Sequence, residues 1–122
     1  MALGQEIGTF EFNVTSWSQA EDGGSVAITL DGTATDFGTV LATLTGQIGP
    51  GAKSGKGSWR SQAFLEGGDV VQGIGEGTWI ESGNHQWRIR MIVAVSDDRF
   101  VAVDGTLSLA GRSFNGKILD WS

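Results

Sequence analysis

The chain carries about eight segments of period-two alternation and no window with a helical period. That combination constrains its fold more than any other feature. Residues 6–17 set the pattern, with Phe10, Phe12 and Val14 on one face and Glu11, Asn13 and Thr15 on the other. Glu21-Asp22-Gly23-Gly24 is a turn by composition; Val26, Ile28 and Leu30 then resume the alternation, and Asp31-Gly32 suits a tight hairpin turn. A third strand follows from Phe37 to about Leu44 and is apolar on both faces. Five more run from Gly57 to Leu65, Val70 to Ile80, Gln86 to Val95, Arg99 to Leu109 and Ser113 to Trp121. Residues 46–56 hold the only proline and read as the most mobile connection.

An open sheet of this size leaves two long edges whose free N–H and C=O groups recruit other chains. There is no helix here to cover them and no proline within a strand. Closure removes the edges. The sequence therefore predicts an all-β fold, a single closed antiparallel β-barrel of about eight strands, mostly meander, spanning residues 1–122.

Glycine supplies the second constraint, at twenty residues of 122. Gly55-Lys56-Gly57-Ser58-Trp59 and Gly75-Glu76-Gly77-Thr78-Trp79 repeat one pattern, Gly-x-Gly-[Ser/Thr]-Trp, twenty residues apart. Within strands such glycines mark tight coiling or the approach of another backbone or ring. Val71, Gly73, Gly75, Gly77 and Trp79 share one face of the fifth strand, leaving a trough for rings from facing strands.

Composition removes several function classes. The net charge is −6, and the eight Lys and Arg are scattered over positions 53 to 117. This argues against nucleic acid and against an anionic membrane surface. No cysteine is present, so disulfides and thiolate chemistry are excluded. His85 is the only histidine, which excludes catalytic triads and multi-imidazole metal sites. No metal and no cofactor is expected. Gly51-Ala52-Lys53-Ser54-Gly55-Lys56-Gly57 departs from a phosphate-binding loop at both the first glycine and the hydroxyl, and a strand follows it. Asn13-Val14-Thr15 matches the glycosylation sequon but falls inside the first strand. The first six residues show no basic and apolar leader pattern, so a cytoplasmic location is expected.

The remaining candidates lie in the strands. Trp59, Trp79 and Trp87, with Met91, either fill the core or line a pocket at a barrel mouth. Glu76 stands mid-strand between two glycines; inside the barrel its pKa would rise and it would serve as acid or base, outside it is a solvated strand residue. Arg88 and Arg90 lie opposite the apolar face of Trp87, Ile89, Met91 and Val93, which places them outside with acidic partners; the sharper alternative is Arg90 binding a ligand carboxylate or carbonyl from within. Asp31 and Asp104 each precede Gly-Thr and read as turn caps rather than an acid/base pair.

The glycine-punctuated succession of strands, ending in Asp104-Gly105-Thr106-Leu107-Ser108-Leu109 and Asn115-Gly116-Lys117, resembles small bacterial barrels of the allene oxide cyclase-like group and, in outline, the wider calycin barrels. The resemblance covers architecture and brings no catalytic position with it. It implies a barrel that binds a small hydrophobic molecule, with cofactor-independent cyclisation and homo-oligomer formation as further properties of that group. Three expectations follow: a small apolar ligand held by Trp59, Trp79, Trp87, Met91 and Arg90; an isomerase or cyclase built on a buried Glu76; or a filled barrel serving as a structural or oligomeric module through the apolar third strand.

Overall fold

The computed structural model describes residues 4–120 and is a closed eight-stranded antiparallel barrel in which each strand pairs with its sequence neighbours and β8 closes on β1. The strands are β1 (Glu6–Gln19), β2 (Ser25–Ala34), β3 (Gly38–Gln47), β4 (Ser54–Phe64), β5 (Val70–Gly83), β6 (Gln86–Val95), β7 (Phe100–Ser108) and β8 (Ser113–Asp120). Trp121, read as the last residue of the eighth strand, lies outside the described residues. The all-β, closed-meander expectation holds.

The Gly-x-Gly-[Ser/Thr]-Trp repeats form a reciprocal pair. In the β4–β5 ladder Gly55 faces Trp79, Gly57 faces Gly77 and Trp59 faces Gly75. Each tryptophan therefore lies across a glycine of the other strand. A methyl group added to Gly55 would come within 2.8 Å of the Trp79 indole nitrogen, and one on Gly75 within 3.3 Å of Trp59 Cβ and 2.9 Å of a Val93 methyl. The trough of Gly73, Gly75 and Gly77 faces inward; Trp59 and Val93 from the flanking strands fill it at Gly73 and Gly75, and the β6 backbone at Arg90 and Met91 closes it at Gly77. An eight-stranded barrel is only wide enough for side chains to meet, so large rings need missing side chains beside them.

Those rings form a plug across the middle. Phe10 and Phe114 lie 4.8 Å apart, Phe10 and Phe12 5.4 Å, and Phe12 and Trp59 5.7 Å. These tilted ring contacts each contribute about 0.5–1.5 kcal/mol beyond area burial. The Trp59 indole N–H donates to Ser61 Oγ at 3.0 Å, so the plug leaves no orphaned donor of its own.

Two sequence expectations need correction. Asp31-Gly32 is not a turn but lies within β2; the turn follows at Thr35–Phe37, where Asp36 adopts φ 65° and Gly38 φ 70°. Gly32 faces inward where β1 comes close, and a side chain there would collide with the Glu11 carbonyl oxygen and meet the Phe12 ring at 2.7 Å. Asp104-Gly105 is likewise mid-strand, with the Phe10 ring 2.6 Å from where a Gly105 Cβ would stand. In both, glycine makes room for a phenylalanine while the aspartate faces outward. The third strand is also not apolar on both faces, since Val40, Ala42 and Leu44 are core and the outward residues expose only Leu41 as a large apolar group.

Interior glycines differ in how much room they have. Gly75→Ala is expected to cost about 1–3 kcal/mol through overpacking. Gly57→Ala, whose nearest neighbour would be the Thr45 carbonyl oxygen at 3.4 Å, is expected to change stability by less than about 0.5 kcal/mol. Urea unfolding midpoints of the two variants measure the contrast.

Candidate functional site

The plug divides the interior into two unequal spaces. Towards the β2–β3, β4–β5 and β6–β7 turns there is a cavity of only about 60 Å³, walled by Phe10, Trp59, Val40 and Val95. Phe37 sits at that end with the Arg99 guanidinium 4.0 Å above its ring; Arg99 is itself held by Asp97 at 2.7 Å and by the Asp36 carbonyl oxygen at 3.1 Å. That end is closed.

The opposite mouth is different. A pocket of about 280 Å³ opens between the start of β2, the end of β3 and the β5–β6 hairpin. Its wall is apolar: Val26, Ile28, Leu44, Ile89, Met91 and Leu107 come from inward positions of successive strands. Trp17, Trp79 and Trp87 stand around its upper part. Trp79 is fixed by its glycine neighbours and by its indole N–H, which donates to the Gln47 carbonyl oxygen at 3.2 Å. The β3–β4 connection adds Ile48 and Ala52. Although the sequence marks this stretch as mobile, both of its shoulders are tied down: the Ile48 N–H donates to the Gly24 carbonyl oxygen at 2.9 Å, and the Glu81 N–H donates to that of Lys53 at 2.7 Å.

Trp17 reaches the pocket because of a bulge. Val14 pairs with Leu30 and Ser16 with Thr29, so Thr15 is an extra residue in β1. From there the strand changes parity, and Trp17, opposite Ile28, returns to the inner face. Hydrogen bonds from Thr15 Oγ1 to the Thr29 carbonyl oxygen (3.1 Å) and from Ser16 Oγ to Thr29 Oγ1 (3.0 Å) pin the bulge. The ladder with β8 ends at Asn13, so the last turn of β1 overhangs the mouth, and Trp17 meets Trp87 at 5.8 Å between ring centroids.

Of the ligand-binding residues expected from sequence, Trp79, Trp87 and Met91 line this pocket, whereas Trp59 belongs to the plug and borders the smaller cavity. Arg90 does not reach either; it is exposed on the outer wall opposite Asp104. Glu76 is also exposed outside, because Gly75 and Gly77 take the inward positions of β5. The buried carboxylate needed for acid/base chemistry is therefore not supplied by Glu76. Sequence reasoning missed Trp17, Ile48, Ala52 and Glu81, the one carboxylate among the lining residues. Glu81 was legible in part, being two residues after Trp79 and so on the same face.

Arg88, expected outside with an acidic partner, makes a two-pronged ion pair with Asp104, Nη2 to Oδ2 at 2.6 Å and Nε to Oδ1 at 3.0 Å. Hydrogen bonding from Arg88, with the nearby charges of Arg88, Arg90 and Lys117, holds the Asp104 carboxyl below the ordinary value of 3.8 against a smaller opposing effect of burial. Among the described residues no group of three or more His, Asp or Glu is placed to hold a metal ion. Comparisons of the chain with protein-family models, curated proteins and solved structures found no match.

Because the Asp104 pKa is depressed in the folded state, the pair stabilises the barrel above the unfolded value and loses its effect as pH falls through the folded one. The stability difference between the native protein and Asp104→Asn should be constant near neutrality and shrink below about pH 3.8. Urea midpoints measured across that range check this; a difference that stays the same in acid contradicts it.

Proposed function

We propose that the barrel is a binding protein for a small, mainly apolar molecule held in the mouth pocket. One observation carries this reading: about 280 Å³ of space is left at one end of the core, against about 60 Å³ at the other. Apolar side chains from β2, β3, β6 and β7 and three indoles make up most of its lining. A well-packed barrel of this strand number can fill itself with side chains. Here the inward positions near the mouth include Gly46 and Gly57, which leave that space instead of filling it. The size is close to the lower end of small-molecule sites, roughly 300 Å³, and suits a ligand of modest length.

The architecture is compatible with calycin-like barrels, and kinship with the allene oxide cyclase-like group is part of the same proposal. Barrels of that group hold hydrophobic small molecules. With Glu76 exposed on the outer face, the cyclase reading expected from the sequence loses the residue that was to carry it.

Gly57→Leu places a branched side chain in the pocket, from a position with ordinary space around it. Native mass spectrometry of protein purified from its own host should show a retained small molecule in the native chain and its absence in Gly57→Leu. The same retained mass in a folded Gly57→Leu protein would place the ligand elsewhere and sink the proposal.

A further inference from the structure

The mouth pocket combines aromatic rings with a single kind of charge. Among the described residues Glu81 is its only ionisable lining residue, and no lysine or arginine lines it. The ion pairs among the described residues join Arg88 to Asp104, Arg99 to Asp97 and Lys117 to Glu6, so Glu81 has no cationic partner there. Lys53 meets it through a backbone carbonyl, and Arg112 lies in a separate groove on the other side of Trp17. Glu81 and Trp87 are a directly opposed cross-strand pair on the inner face. Above them Trp17 and Trp87 are inclined at 42°, which makes a corner of two indoles, with Trp79 one inward position before Glu81 on β5.

Indole is the ring that attracts cations best, and a carboxylate beside it adds a full opposite charge. Resting on the reading of the mouth as a ligand pocket, we propose that its ligand is an amphiphile with an ammonium head, protonated or quaternary, on a short apolar body. The head lies at the rim against Trp17, Trp87 and Glu81. The body points down towards Ile28, Leu44 and Met91. The protein's net charge of −6 draws such a molecule in and repels an anionic one of the same length.

Three probes of equal chain length separate the proposal from the reading beneath it: n-hexyltrimethylammonium, n-hexanol and n-hexanoate, each titrated against tryptophan fluorescence. The ammonium compound is expected to bind about tenfold more tightly than the alcohol, with the carboxylate weakest. Glu81→Gln, a change at an exposed residue, should cut the ratio of ammonium to alcohol affinity several-fold; Gly57→Leu should abolish all three. Equal binding of alcohol and ammonium, lost in Gly57→Leu, overturns the charged head but leaves the apolar pocket standing. A preference that survives Glu81→Gln undiminished overturns the assignment of the carboxylate. If none of the three binds the native protein, both the head group and the pocket reading fall.

Discussion

The exchange of tryptophan for glycine across β4 and β5 is the contact on which the rest of the barrel depends. Its centre is the Gly57–Gly77 pair, and each strand places a ring over the other's glycine on either side of that point. The arrangement sends the two indoles in opposite directions along the barrel axis. Trp59 goes into the plug with Phe10, Phe12 and Phe114, and Trp79 goes to the open mouth. Both indole N–H groups find an acceptor without leaving their strands' neighbourhood, so neither ring carries an unpaired donor into the interior.

From this follows the inequality of the two ends. Bulky rings in the middle leave little room towards the Phe37 end, where the Arg99 cation lies over the Phe37 ring. At the other end the inward series of β4 and β5 runs through glycine just where the plug stops, and a pocket opens. The same residue type thus has two roles. Gly75 is closed in by Val93 and the β6 backbone and Gly105 by the Phe10 and Phe114 rings, while Gly46 and Gly57 leave space.

Much of this was legible in the alternation. The strand order, the closure and the shared face of Gly73, Gly75, Gly77 and Trp79 follow from period two together with the absence of helix, but not which side of the barrel that face takes. What misled were residues whose chemistry serves two purposes. Asp31-Gly32 has the composition of a turn, yet its glycine is there for Phe12, a contact between β1 and β2 that no local window contains. Glu76 was ambiguous because a glycine face has no hydropathy of its own, whereas Ile74 and Ile80 on Glu76's own face look like core and are about half exposed. Trp17 was invisible for a third reason. A strict alternation from Phe12 puts it with the outward residues, and only the register against β2 shows the extra residue that reverses it.

That extra residue has an evolutionary consequence. β1 is written in two reading frames, one before Thr15 that builds the core and one after it that furnishes the mouth. Substitutions after the bulge alter the rim without disturbing the plug, and gain or loss of the single residue at 15 would exchange the whole inner set of that segment for its outer set. A barrel of this design can acquire or discard a rim by a three-nucleotide insertion or deletion, a route that selection on point mutations alone does not offer.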